Sequence, residues 1–301
     1  MSADPLAVLD ALGIADASAV EPVSGGWDTA IWRVERGGER YALRLFRLEQ
    51  AAACRHEVAA MRAAAEGGVP VPRLYAEGVW QGRPVLLLSW CPGRTLLEEV
   101  QARPWRGWTL GVAMGRMHAR VHAIPAPEAL RRNPDAWIDW AGPVDAALRA
   151  RLLAVAPDTP ALLHLDYHPL NILTDGADIT AVLDWANTRA GDRRADLART
   201  LAILRLAPPE PGASPLLMLG RRVLERAWRR GYRQVAGRVA GMAPFYAWAG
   251  GTMARDLASK LGRPGVWLER RHLDAIEGWA AVWRRRAGLP ADDHLGKAPR
   301  P

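Results

Sequence analysis

Asp166, Asn171 and Asp184 are the residues of this chain whose types and spacing best suit chemistry. They lie in the run His164-Leu165-Asp166-Tyr167-His168-Pro169-Leu170-Asn171 and in Leu183-Asp184-Trp185, with Asp184 thirteen residues after Asn171. A carboxylate, an amide oxygen and a second carboxylate at these intervals can hold a hydroxyl, a magnesium ion and a nucleoside triphosphate for phosphoryl transfer. That reaction asks little covalent chemistry of a protein and much positioning, charge neutralisation and in-line geometry. Asp166 suits the hydroxyl: it can accept its hydrogen bond and take its proton, although an aspartate is a weak base and orientation is the larger contribution. Asn171 and Asp184 offer the hard oxygen ligands that Mg2+ prefers. His168 can assist the transferred phosphate or orient the loop, and His164 fits a backbone tie better than a reacting group.

The elements around these residues must present them on a rigid frame. Leu162–Leu165, Ile172–Thr174 and Ile179–Leu183 read as short strands, the last two joined by an Asp175-Gly176 turn, so the polar residues fall on strand ends and loops. Upstream, Leu110, Ala113, Met114, Met117, Val121 and Ile124 form an i, i+3, i+4, i+7 stripe, the core face of a helix ended by Pro125 and Pro127. Downstream, helical stripes run through Leu224, Trp228, Gly231 and Val235, then Leu273, Ile276, Ala280 and Trp283. Trp137, Trp140, Trp185 and Trp248 read mostly as core.

The first ninety residues have a different pattern. Residues 19–24, 29–36 and 40–47 predict three antiparallel strands around Gly25-Gly26 and Gly37-Gly38, residues 50–66 a helix, and residues 74–79 and 84–89 two further strands. The turn Ser24-Gly25-Gly26-Trp27-Asp28-Thr29 can bring backbone N–H groups up to phosphates, with Ser24, Gly25, Gly26 and Thr29 as candidate contacts. A cation must face those phosphates from the third strand. The only lysines are Lys260 and Lys297, which leaves Arg44, whose planar fork is always charged. Glu57, thirteen residues later on the predicted helix, is its natural partner. The backbone of Ser89, Trp90 and Cys91, where an apolar strand meets a Pro-Gly break, is the candidate adenine edge.

Composition permits this reading and narrows the alternatives. At 301 residues the chain suits two lobes with a sizeable core. Cys54 and Cys91 are too few for a disulfide framework and read as ordinary thiols in a reducing compartment. With no basic leader before an apolar run and no membrane-length apolar stretch, a soluble cytoplasmic protein with no membrane partner is expected. The net charge is +8, and the excess lies in residues 201–301, which hold 18 Lys and Arg against 8 Asp and Glu. Those arginines recur at helix-face spacing among apolar residues, which describes a solvated face and not a nucleic-acid module. The sequence specifies no oligomeric state.

The segments HLDYHPLNIL (164–173) and AVLDW (181–185) resemble the Brenner-type motif of the aminoglycoside phosphotransferase and choline kinase family. The family's usual form is HGDxxxxN, and Leu165 stands at its glycine. Gly191-Asp192-Arg193-Arg194-Ala195-Asp196-Leu197-Ala198 resembles the family's next conserved stretch, which implies that Asp196 braces the catalytic loop. Ala42 and Arg44 share a strand face as the alanine and lysine of a kinase VAIK strand do. The resemblance implies an α+β, bilobal protein kinase-like fold: a small β-rich nucleotide-binding lobe over residues 1–90 and a large, mainly helical catalytic and acceptor-binding lobe over 91–301. It implies ATP (or another nucleoside triphosphate) and Mg2+ as cofactors, Asp166 and His168 as catalytic residues, and Asn171 and Asp184 as metal ligands. It leaves the acceptor open. Aminoglycosides are polycations whose pockets need carboxylates, and the basic last third favours a neutral or anionic acceptor such as a sugar, amino alcohol, amino acid or macrolide-like scaffold. The alternative is a nucleotide-binding regulatory module without turnover.

Overall fold

The computed structural model describes residues 3–23, 29–133, 135–155, 157, 159–209, 211–212, 215–263 and 266–291. The chain begins with α1 (Pro5–Asp10), whose N-cap Asp4 accepts from the Leu6 N–H and whose first position is proline. Five strands follow, β1 (Ala19–Pro22), β2 (Ala30–Arg36), β3 (Glu39–Leu45), β4 (Leu74–Trp80) and β5 (Arg83–Ser89), with α2 (Ala51–Glu66) between β3 and β4. They form one antiparallel sheet in the order β1-β2-β3-β5-β4. Gly37 and Gly38 turn β2 into β3 at φ +57° and +79°, the left-handed pair that a two-residue hairpin turn requires.

Both faces of this sheet are covered, and β5 shows why. Val85 and Leu87 point into a cluster with Val8, Leu9, Trp32 and Leu43, while Leu86 and Leu88 point into another with Phe46, Val58 and Met61. A strand buried on both faces needs a continuous apolar run. In β3, Tyr41, Leu43 and Leu45 fill the first cluster, so Ala42 and Arg44 are on the other face, toward α2. The cluster holding Val58 and Leu88 continues through Leu96, Met114, Ile172 and Trp185, so one core joins the sheet to the helices.

After Cys91-Pro92-Gly93 the chain forms β6 (Arg94–Thr95), α3 (Leu96–Ala102), α4 (Gly107–Ala123), α5 (Glu128–Arg131) and α6 (Ala146–Leu153). Then come β7 (Ala161–Leu163), β8 (Ile172–Thr174), β9 (Ile179–Val182) and β10 (Arg189–Gly191). Helices α7 (Arg193–Leu206), α8 (Pro215–Ala236), α9 (Ala243–Ala258) and α10 (Arg270–Arg286) complete the fold. The expected β-rich first part and helical remainder are present. No helix among the described residues is long and apolar enough to cross a membrane.

Three details depart from the sequence reading. The strand expected over 162–165 stops at Leu163, because Leu165 turns left-handed at φ +61°. β10, three residues with no apolar alternation, pairs antiparallel with β7 and gave no sequence signal. Val235, read as part of a core stripe, is 53% exposed, and Tyr232 takes the buried position instead. The helix α8 is rotated by its crossing with α4, where Gly115 and Gly231 let the backbones meet. A Cβ on Gly231 would lie 2.0 Å from the Val112 carbonyl oxygen, and one on Gly115 equally close to that of Trp228.

Candidate active site

β7 delivers the chain into a loop, residues 164–171, held from below by one carboxylate. Asp196, in the first turn of α7, accepts the His164 N–H at 2.6 Å and the Leu165 N–H at 3.0 Å. His122 Nε2 lies 3.1 Å and His118 Nε2 3.3 Å from the same carboxylate oxygen. Burial pushes the Asp196 carboxyl up, but the His118 and His122 imidazoles outweigh it and hold it well below the usual carboxylate range. His118 is correspondingly depressed to about 4, first by burial and then by the neighbouring His122. Its ring stacks on Tyr167 at 4.0 Å, the Tyr167 hydroxyl donates to the Met114 carbonyl, and the Thr200 hydroxyl donates to the Tyr167 carbonyl. The loop is thus fixed from α4 and α7 together.

His164 ties the loop to the strand hairpin. Its Nε2 donates to the Leu183 carbonyl at 2.9 Å and its Nδ1 accepts the Asp166 N–H at 3.3 Å, which is the neutral imidazole that burial favours. On the other side, Leu183 N donates to the Asn171 carbonyl at 2.8 Å, and Ile172 pairs with Val182. This register brings Asn171 beside the Asp184 turn, where Asp184 is exposed at φ +58°. The Asn171 amide nitrogen donates to the Asp166 carbonyl at 3.0 Å and to Asp166 Oδ2 at 3.2 Å, which leaves its own oxygen for another partner. His168 Nε2 stands 3.4 Å from Asp166 Oδ1, while its Nδ1 accepts the Leu170 N–H. Burial raises the Asp166 carboxyl, but the His168 hydrogen bond, with the charge of Arg199, outweighs it and lowers the carboxyl to about 2. Asp166 is therefore ionised at neutral pH.

Across from this group, Arg44 Nη1 donates to Glu57 Oε1 in an ion pair whose carboxylate is fully buried. Burial lifts the Glu57 carboxyl and the Asp184 charge adds to it, against the pull of Arg44. Burial works against the charged Arg44 too, but the Glu57 and Asp184 charges together raise it. Arg44, Glu57 and Asp184 are thus within electrostatic reach of one another. Thr29 immediately precedes β2, and Ser24, Gly25 and Gly26 lie outside the described residues. At the strand end, Ser89 N donates to the Arg73 carbonyl and Trp90 N to the Arg40 carbonyl, so neither amide N–H is available to a ligand. The Cys91 N–H donates to no described backbone acceptor, and the expected ligand edge narrows to it and the strand-end carbonyls. Burial raises both thiols, Cys54 to about 11, which keeps them protonated and unreactive.

Residues 19–237, most of the chain, match the family model described as the phosphotransferase enzyme family. The chain belongs to that family. Among solved structures it is similar to the aminoglycoside phosphotransferase APH(4)-Ia, with 17% identity and a TM-score of 0.61 over 94% of this chain and 97% of that one. A thermostable mutant of that enzyme, in ternary complex with AMP-PNP and hygromycin B, matches at 17% identity and a TM-score of 0.60 over 95% and 98% of the two chains. Macrolide 2'-phosphotransferase MphH from Brachybacterium faecium matches at 20% identity and a TM-score of 0.52 over 96% and 98%. At such identities the likeness shows the fold, which is the protein kinase-like fold expected from sequence. No match was found among curated protein sequences.

Two parts of the structure around α7 were not read from the sequence. The His118–His122 pair was seen only as helix, although two histidines four apart on one face were available as a signal. Arg199 and Trp140 are the second part. Trp137, Trp185 and Trp248 are core, as expected, and the indoles of Trp185 and Trp248 donate to the Val182 and Ile138 carbonyls. Trp140 is half-buried and stacks on the Arg199 guanidinium, 5.6 Å from ring centre to Cζ. Arg199 Nη2 reaches Asp256 at 3.5 Å, while Arg199 Nε, Arg199 Nη1 and Trp140 Nε1 are buried without a hydrogen-bond acceptor among the described residues. Each unmet donor costs roughly 1–3 kcal/mol. A cavity of about 460 Å3 lined by His122, Asp192, Arg193, Arg194 and Arg238 opens at the N-terminus of α7 and includes neither Asp166 nor Arg199.

Proposed function

We propose that the chain moves the γ-phosphoryl group of ATP, or of another nucleoside triphosphate, onto a hydroxyl of a small molecule. The observation that carries this reading is the Asn171 amide 3.2 Å from Asp166 Oδ2, in a loop bound through Leu183 to the exposed Asp184. In this reading Asp166 accepts the hydrogen bond of the acceptor hydroxyl and takes its proton as the new O–P bond forms. Its low pKa makes it a weak base, so alignment of the hydroxyl is its larger contribution. His168 orients Asp166. The Asn171 oxygen and Asp184 are a hard-oxygen pair that fits Mg2+, which when bound supplies charge neutralisation at the phosphates.

Arg44, anchored by Glu57, faces the phosphates from β3, and the turn through Ser24, Gly25, Gly26 and Thr29 approaches them with its backbone. Cys91 and the carbonyls of Ser89 and Trp90 take the adenine edge. Residues 1–90 thus form the nucleotide lobe and residues 91–301 the catalytic and acceptor lobe, in a cytoplasmic enzyme. A fold neighbour that holds AMP-PNP and hygromycin B together supports one cleft for nucleotide and acceptor. The acceptor is neutral or anionic, of the sugar, amino alcohol, amino acid or macrolide-like kind, because residues 201–301 hold 18 basic against 8 acidic side chains.

ADP release from MgATP, measured against a panel of small hydroxyl compounds, tests this. Acceptor-dependent release is expected, and Asp166→Ala should lower it roughly a thousandfold while MgATP affinity is kept. MgATP binding with no release across the panel would instead identify a nucleotide-binding module without turnover.

A further inference from the structure

The acceptor side of Asp166 has an electrostatic character of its own. Arg44 and Glu57, on β3 and α2, lie within electrostatic reach of Asp184, whereas Arg199 comes from α7, one residue before Thr200, whose hydroxyl holds the Tyr167 carbonyl beside Asp166. Arg199 is 4% exposed and lies between Trp140 and Asp256. Three of the N–H donors there, Arg199 Nε, Arg199 Nη1 and Trp140 Nε1, have no acceptor among the described residues. The carboxylate present, Asp256, is shared with Lys260 at 3.2 Å, so two cations stand against one anion. Every unmet group in this cluster is a donor.

We infer that Arg199 and Trp140 form an acceptor subsite for an oxyanion, so that the phosphoryl acceptor is a hydroxyl compound that also carries a carboxylate or a phosphate ester. This inference rests on the phosphotransfer reading for the word acceptor, and on the unmatched donors for the charge class. Oxygen atoms with lone pairs and negative charge are what two guanidinium N–H groups and an indole N–H recognise together. An ammonium group brings only donors and would meet donors and a cation. Trp140 is half-buried and Asp256 is one-third exposed, so solvent reaches the group from that side. The next residue of α7, Thr200, holds the Tyr167 carbonyl beside Asp166, which sets the subsite on the flank of the loop that carries Asp166, and the charge of Arg199 is felt at that carboxylate.

The test uses two scaffolds in four charge forms: glycerol, glycerate, glycerol 3-phosphate and 3-amino-1,2-propanediol, with glucose, glucuronate, glucose 6-phosphate and glucosamine. ADP release at saturating MgATP gives kcat/KM, and thermal shift in the presence of MgADP gives binding without turnover. An anionic form should exceed its neutral and cationic counterparts at least about tenfold, the effect of one charge-assisted pair. The carboxylate and phosphate arms decide which oxyanion is meant. Arg199→Met should collapse that ratio, and Trp140→Phe, which removes a single N–H and preserves the ring, should reduce it a few-fold. Preference for the neutral or amine forms, a ratio unchanged in Arg199→Met and Trp140→Phe, or no binding by any of the eight compounds would overturn the inference. ADP release indifferent to charge would sink it and leave phosphotransfer standing. Anion binding that needs Arg199 without any ADP release would do the reverse.

Discussion

Leu165 points its amide N–H at the Asp196 carboxylate, 3.0 Å away, from a backbone at φ +61° that L-residues seldom adopt. Glycine would take that conformation freely, whereas a leucine there costs about 1–2 kcal/mol. The leucine side chain is fully buried among the residues of α7 and α9, which offsets the strain. Leu165→Gly should therefore retain the loop and its acceptor-dependent turnover within about threefold. It should still lower unfolding free energy by roughly 1–3 kcal/mol, since the lost burial exceeds the relieved strain. Urea unfolding beside ADP-release kinetics would show this; a gain in stability would mean that the strain is the larger effect.

Arg44 and Glu57 are coupled more tightly than either is to solvent. Glu57 is fully buried, and Arg44→Met would leave its carboxylate there alone, at a cost of about 3–5 kcal/mol. The pair Arg44→Met with Glu57→Leu should cost much less than the sum of the two single changes. A double-mutant cycle by chemical denaturation measures the coupling, and additivity within about 0.5 kcal/mol would refute it. Arg44→Lys preserves the charge but not the fork, so MgATP affinity should fall several-fold while stability changes little.

The geometry of the candidate site was legible where chemistry and local pattern coincide. Asp166, Asn171 and Asp184 were readable because strand ends and turns with recognisable residues fix their spacing, and Arg44 because strand alternation assigns its face. Arg199 was not readable: its charge looked like one more arginine on a helix, and only the packing of α7 against α9 and Trp140 makes it buried. β10 was missed because three residues carry no period. Val235 was misassigned because the stripe assumes that an apolar face follows side-chain size, whereas glycines at the α4–α8 crossing set the contact.

Acid should unfold the protein through His118 before it reaches the carboxylates. The folded imidazole titrates at about 4 against an ordinary value of 6.5, so the unfolded chain binds the proton first as pH falls. The stability this group contributes is complete above pH 6.5 and is lost between 6.5 and about 4, some 3 kcal/mol for a shift of that size. Asp196, held well below 3.8, adds its loss only at lower pH. His118→Gln cannot titrate and should flatten the Tm profile between pH 6.5 and 4; an unchanged slope would assign the acid sensitivity to other groups.

Two glycines of α8 should respond to alanine with opposite signs. Gly231 faces the Val112 carbonyl oxygen, which an added Cβ would approach to 2.0 Å, so Gly231→Ala must separate α4 from α8. That displacement pulls Trp228 from His118, whose Nδ1 accepts the indole N–H at 3.3 Å, and Tyr232 from His122, 2.9 Å away. A loss of about 3 kcal/mol or more is expected from overpacking and the broken buried contacts, together with reduced turnover, because the same histidines support Asp196. At Gly220 an added methyl would have nothing within 4 Å among the described residues, so Gly220→Ala should gain about 0.5–1 kcal/mol from helix propensity. Chemical denaturation of both variants separates the crossing from a general effect of helix stiffening, since the latter would stabilise both.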